Sequence, residues 1–332
     1  MNIRLVILFV LLLSASACSM FIPTSTKEAM ARSEKEVERL KKELKALEAT
    51  VREMEAEKGK QLTVKAVSNP WTPLDSMQRL DSLMRHFVKQ VFTASPLAQY
   101  PLRINMFNNS FDAYVVKVKK SDLRFFWNYP DTSIAYRNFY QLKHTAKENF
   151  DRELIFATNG GMFEPNGAPK GLYIEAGDTL VSMDTISHRV GYLNFYLQPN
   201  GVFYLDKKRT AHVMTTQEFR EKQPQAYYAT QSGPMLVINN RIHPAFTRGS
   251  RNKYIRSGVG VIDPDHIVFI ISNKPVNFFD FATLFRDYFG CPNALYLDGA
   301  ISEMYLPSLK REKLEGNFGP LIGIMDTINT TN

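Results

Sequence analysis

At 332 residues, 44% hydrophobic, 12% aromatic and 22% charged, the chain has the composition of a folded protein with no biased tract. Its net charge of +8 is spread too thinly for a nucleic-acid footprint. Residues 27–60 hold ten Lys/Arg against nine Asp/Glu, and no cationic run is interleaved with aromatics, so a nucleic-acid partner is excluded. A modest positive field suits anionic substrates instead.

Residues 1–17 carry Arg4, an apolar stretch from Leu5 to Leu13, and small residues up to Ala17. Nine strongly apolar residues are too few to span a bilayer, so this segment reads as a signal peptide. Cys18 directly follows Ala15-Ser16-Ala17, which resembles the lipobox of bacterial lipoproteins. That resemblance implies acylation of Cys18, a membrane attachment through the N-terminal lipid and a location in the bacterial cell envelope. Ser19 at the next position leans towards the outer membrane. The second cysteine, Cys291, sits in the apolar string FGCPNALYL and reads as an inert core thiol. One remaining thiol leaves no disulfide framework.

Residues 18–26 read as a tether. From 27 to 60 a heptad seam follows, with Met30, Val37, Leu44 and Val51 at a, and Leu40, Leu47 and Met54 at d. This predicts an N-terminal coiled-coil helix about 45 Å long, a stalk able to form a homo-oligomer or a single helix acting as a spacer. Residues 61–110 read as a linker with an amphipathic helix over 74–91, where Leu80, Leu83, Met84, Phe87 and Val88 recur at helical spacing.

The remaining stretch, 111–326, reads as one α+β or mixed α/β domain, a twisted mixed sheet flanked by helices. Phe111–Lys119 alternates and is its first strand. Four later segments interrupt apolar strands with polar residues and glycines. Asn159-Gly160-Gly161 closes the strand from Leu154, and glycine there lets backbone approach a ligand closely. As a continuation of this first segment, Lys170 leads into a short strand ending at Glu175. Gln231-Ser232 precedes another strand. Arg256 stands among apolar residues and glycines, where a planar guanidinium suits phosphate but equally suits a structural pairing.

The fourth segment joins a strand over 268–271 to one over 294–297 through a helix over 279–289, a crossover that makes the two strands parallel. Asn273 follows one and Asp298 the other, on one rim of the sheet, where ligands gather in open α/β sheets. Ser302 and Glu303 lie just beyond. Six histidines without ligand spacing, and no cysteine pair, give no metal site.

Together the strings NGGMF, PKGLYIEAGD, LNFYLQPNGVFYL, QSGPMLV, IRSGVGV, NALYLDGAISEMYLP and FGPLIGI resemble, in order, the phosphodiester glycosidase domain family. The likeness covers roughly residues 111–324. Its best-known member is the uncovering enzyme that removes N-acetylglucosamine from phosphodiester-capped mannose. In the wider family the aspartate motif runs DGGGS; here it is DGAIS, which keeps Asp298, Gly299 and Ser302. Pro199-Asn200-Gly201 is taken as a hairpin turn.

The resemblance implies hydrolysis of a sugar-1-phosphodiester at the C1–O bond, with a sugar-phosphate glycan as substrate. Asp298 is then the carboxylate at C1, Glu303 the reserve, and Arg256, with Lys170, stabilises the departing phosphate. Asn159, Gly160, Gln231, Ser232, Asn273 and Ser302 would orient sugar hydroxyls or phosphate oxygens. No cofactor is required, although a divalent cation, Ca or Mg, near Asp298 is compatible with this reading. Two rivals stand beside it: a non-catalytic glycan-binding lipoprotein, and a phosphodiesterase that breaks phosphorus–oxygen.

Overall fold

The computed structural model describes residues 98–186, 194–298 and 301–327. Cys18, the stalk over 27–60, the helix over 74–91, and Gly299 and Ala300 lie outside the described residues. Strands are numbered in chain order.

Three sheets replace the single mixed sheet expected. The largest has seven strands in the order β1 (Gln99–Met106), β2 (Asn109–Lys117), β13 (His266–Ser272), β12 (Ser257–Asp263), β14 (Asn293–Tyr296), β10 (Met235–Ile238) and β11 (Arg241–Ile242). The second orders β15 (Met304–Tyr305), β4 (Arg152–Asn159), β16 (Leu321–Thr327) and β3 (Asp122–Phe126). The third orders β6 (Asp178–Val181), β5 (Tyr173–Glu175), β9 (Ala226–Ser232), β7 (Gly201–Asp206) and β8 (Ala211–Thr215).

Among the described residues the neighbouring strands pair antiparallel. The crossover predicted from sequence is present, and β13 and β14 do run in the same direction. They are not neighbours, however, because β12 lies between them and pairs antiparallel with both. A mixed sheet was expected because a crossover was read as joining adjacent strands; the chain instead threads its antiparallel neighbour between them.

Helices are few. In α1 (Phe139–Phe150) the Asn138 side chain accepts from the Gln141 N–H at the N-terminus, and Asp151 closes the helix in the left-handed region. Thr215 and Glu218 form a reciprocal capping box on α2 (Thr216–Lys222). Helix α3 (Phe278–Thr283), capped by Asn277, continues as one π turn through Leu284–Tyr288. This is the helix expected over 279–289.

One core serves all three sheets. Tyr114 of β2 stacks on Phe156 of β4 at 4.7 Å between ring centroids, and Phe156 meets Phe269 of β13 at 5.1 Å. Phe269 reaches Phe203 of β7 at 6.0 Å, and Phe203 contacts Phe125 of β3 at 5.6 Å. Each ring removes a large apolar area from water, and such pairs add about 0.5–1.5 kcal/mol beyond that burial. The alternate glycines of β12 have a packing cause. A Cβ on Gly260 would stand 2.6 Å from Phe285 and 2.7 Å from the sulfur of Cys291, so the helix can press on the strand only where no side chain intervenes. Cys291 itself is a buried free thiol.

Pro199-Asn200-Gly201 is not a hairpin turn. It is a buried lead-in to β7, in which Asn200 donates to the Phe195 carbonyl and Pro199 accepts from the Met235 N–H. A Cβ at Gly201 would lie 2.3 Å from the sulfur of Met235.

Candidate active site

The register fixes where the site forms. Ile271 of β13 pairs with Ser257, and Tyr296 of β14 pairs with Gly258, so both strands end where β12 begins. Asn273, Asp298 and Arg256 therefore share one rim. Arg256 stands just before β12 rather than inside it.

Asn159, the last residue of β4, draws this rim together. Its Oδ1 accepts from Ser257 Oγ at 3.1 Å and from the Glu303 N–H at 3.2 Å. Its Nδ2 donates to the Asp298 carbonyl at 3.4 Å, which also accepts from Ser257 Oγ at 3.3 Å and from Ser302 Oγ. One buried carboxamide thus ties residues 98, 139 and 144 positions away in sequence to a single point. Because Asn offers both a donor and an acceptor, it can hold the main chain of both acidic residues at once. Asp298 and Glu303 are each only 8% exposed.

Glu303 is held by cations. Its Oε1 accepts from Arg311 Nη2 at 2.8 Å, its Oε2 lies 2.9 Å from Lys313 Nζ, and the Met304 N–H donates to Oε1 at 3.1 Å. Burial alone would raise its pKa, but the Lys313 hydrogen bond, the Arg311 charge and the Met304 N–H outweigh it and hold the carboxyl below its usual range. Glu303 consequently stays ionised in neutral solution, which suits a base or an electrostatic partner and not a proton donor.

Arg311 is the hub of this corner. Besides Glu303 it donates to Asn273 Oδ1 at 2.7 Å, to the buried Asp112 at 3.3 Å and to the Met304 carbonyl at 3.0 Å. Arg103 pairs with the other side of Asp112 at 2.7 Å. The sequence reading missed Arg311, because Lys310-Arg311-Glu312-Lys313 has the look of a solvated charge run. The available signal is Asp112: a carboxylate within an apolar strand needs a cation, though nothing local says which one.

The other predicted residues divide sharply by what their side chains do. Arg256 has no exposed surface. Its Nε donates to the Val276 carbonyl at 2.8 Å, Nη1 to Tyr296 Oη at 3.2 Å, and Nη2 to Asn252 at its carbonyl and Oδ1. The guanidinium lies 3.5 Å above the centre of the Phe278 ring. No carboxylate pairs with it among the described residues, and burial lowers its pKa while Tyr296 opposes the shift. Direct contact with a phosphate, as the sequence suggested, would require these neighbours to move.

Gln231 and Ser232 reach the rim but spend their side chains on the fold. Gln231 accepts from the Leu172 and Asp184 N–H groups and donates to the Asp184 carbonyl and Thr216. Ser232 donates to the Leu297 carbonyl at 3.0 Å, next to Asp298. Asn273 is held between Arg311 and Ser110. Lys170 pairs with Glu164 at 2.6 Å and lies 5.4 Å from the Tyr196 ring.

Gly160 and Gly161 serve packing as well. A Cβ on Gly161 would fall 2.3 Å from the Gln231 carbonyl, and one on Gly160 would fall 2.9 Å from the Pro320 carbonyl. Their bareness lets the end of β4 nest between neighbouring segments. Among the described residues no group of three or more His, Cys, Asp or Glu side chains is placed to hold a metal.

Antiparallel sheets around a shared aromatic core thus carry, at one sheet rim, two acidic residues fixed to one buried asparagine. The profile of the phosphodiester glycosidase family matches residues 152–320, which contain that rim, and the chain belongs to this family. It is 34% identical over 194 residues to the uncharacterized protein YigE of Escherichia coli (strain K12), covering 58% of this chain and 73% of that protein. The catalytic domain of zebrafish N-acetylglucosamine-1-phosphodiester alpha-N-acetylglucosaminidase, solved in a form auto-inhibited by its pro-peptide, is 14% identical. It covers 68% of this chain and 81% of its own, with a TM-score of 0.47. A hypothetical protein from Synechocystis is also 14% identical, with a TM-score of 0.41, covering 68% of this chain and 61% of its own.

Proposed function

We propose that this chain hydrolyses a sugar-1-phosphodiester at the bond between C1 and oxygen, releasing the sugar and a phosphate monoester. The observation that carries the reading is the convergence of Asp298, Glu303 and Ser257 on the Asn159 carboxamide, within the segment that matches the family. Asp298 is the carboxylate assigned to C1, as nucleophile or as base for water. A phosphate monoester is a weakly basic leaving group, so departure depends more on electrostatic stabilisation than on a proton.

Two cations are assigned to that stabilisation. Arg256 supplies a buried positive charge in a low-dielectric setting, acting through space and through Tyr296, whose hydroxyl is pushed up to about 12 by burial and so stays neutral. Lys170, whose main chain bonds Met162 just beyond Gly161, is assigned as a second cation, released from Glu164 when the phosphate binds. Ser302 and Asn159 orient the site from beneath. Lipid anchoring through Cys18 in the cell envelope belongs to the same reading; lipid mass on the N-terminal peptide is expected, and an unmodified peptide on a membrane-free protein would remove it.

Hydrolysis in heavy-oxygen water tests the bond assignment. Attack at C1 puts the label on the sugar. Label on the phosphate instead would reject the glycosidase reading and make the chain a phosphodiesterase.

A further inference from the structure

We propose that the loop from Arg248 to Tyr254, together with Lys274, is a docking surface for the aglycone side of the substrate, and that this aglycone is a polyanion: a chain of units joined by repeated phosphodiesters. The inference rests on the function proposed above and names the class of substrate that function would serve.

The sequence is asymmetric here. From Arg241 to Ile262 there are five Lys/Arg residues and no Asp or Glu. One of the five, Arg256, is buried; Arg248, Arg251 and Lys253 are exposed. Tyr254 beside them is 59% exposed, the kind of amphipathic ring that packs on a sugar face. Lys274 is exposed on the neighbouring segment, which is tied to the loop by paired hydrogen bonds between Tyr254 and Val276. Arg248 lies over the Phe279 ring at 5.2 Å. None of these four exposed cations forms an ion pair among the described residues. The carboxylate nearest to Lys274 in sequence, Asp280, is engaged by Asn277 at the start of α3, and the one nearest to the loop, Asp263, is engaged by His266.

Position decides what the charge is for. The loop descends directly into Arg256 and β12, and Ser257 at the head of β12 bonds both Asn159 and the Asp298 carbonyl. Lys274 follows Asn273, which reaches Glu303 through Arg311. The cationic surface is therefore continuous in chain and in hydrogen bonding with the candidate site.

The loop is also preformed. Arg256 clamps Asn252 by two hydrogen bonds and Val276 by a third, which fixes the loop before any ligand arrives and lowers the ordering cost of binding. A single phosphodiester is accommodated at C1 and leaves four cations unused. A polymer that repeats the phosphate would engage them, and their attraction would raise its capture rate.

The test compares two substrates on the full-length protein: a methyl sugar-1-phosphodiester and an oligomer of the same sugar-1-phosphate units. The variant is Arg251→Glu/Lys253→Glu, whose side chains make no hydrogen bond among the described residues and whose reversal should leave folding intact. On the oligomer kcat/KM is expected to fall about tenfold or more, and its dependence on salt to flatten. On the methyl substrate it should change little. An equal effect on both substrates, or none on the oligomer, overturns the proposal.

Co-sedimentation of the oligomer without turnover separates the two readings. An inactive wild-type protein that still binds the oligomer, and loses it in the variant, refutes the hydrolase reading while sustaining the surface. Binding of anionic phospholipid vesicles that is lost in the variant, with oligomer binding unchanged, would assign the surface to a membrane and overturn the proposal.

Discussion

Asp298→Asn is expected to lower kcat by on the order of a hundredfold or more, on substrates with good and poor leaving groups alike. The substitution keeps the shape of the side chain and removes its charge. The Asp298 main chain would stay fixed, because its carbonyl is what Asn159, Ser257 and Ser302 bind. A nucleophile or base is needed whatever the leaving group, so an activated aryl glycoside should not rescue the variant. Steady-state kinetics on an aryl and an alkyl phosphodiester, with an unchanged unfolding transition as the control, provide the check. A folded variant with near wild-type kcat on both would move the role to Glu303, which is ionised and lies five residues further on.

Arg256→Ala should have the largest effect on stability. Truncation removes a guanidinium stacked 3.5 Å over Phe278, leaves the buried Tyr296 hydroxyl without its donor, and takes from the Val276 carbonyl one of its two donors, the other being the Tyr254 N–H. The lost partner of the buried hydroxyl and the residual cavity together cost on the order of 3 kcal/mol, read as a lowered denaturation midpoint. Arg256→Lys keeps the charge but cannot fork to Asn252 and Val276 together. If the charge assists phosphate departure, Lys should retain more kcat than Ala in whatever fraction folds. Both variants should then lose most on the poorest leaving group. Equal losses across leaving groups would make Arg256 a purely structural clamp.

The sequence left such a clamp and a phosphate contact equally open. An arginine among glycines and apolar residues announces that something unusual surrounds it, without saying what. Only the tertiary structure shows the cation already spent on a ring, a hydroxyl and two main-chain oxygens, all supplied by residues up to 40 positions away. The same holds for Gln231. Its place before a strand was legible, but the four groups that saturate it come from Leu172 just before β5, from α2 and from the segment at Asp184.

What the sequence determined by itself is local and compositional. Short apolar runs stopped by polar residues predict strand ends at Ala157, Ile271 and Leu297, within two residues of the observed ends at Asn159, Ser272 and Tyr296. The crossover follows from strand, helix and strand at a fixed length, and the family from seven ordered strings. The rim shared by Asn273 and Asp298 also came from that crossover, since two strands running the same way end on the same side.

The tertiary structure decided three further things: that β12 separates those strands, that three sheets share one aromatic core, and that Arg311 holds Glu303. Each depends on contacts between distant segments, which local propensity and periodicity do not encode. Asp112 and Arg311, 199 residues apart, meet because β2 and the loop after β15 are brought to one corner. A buried carboxylate requires a counter-charge, but the choice among many surface-like cations is made by packing.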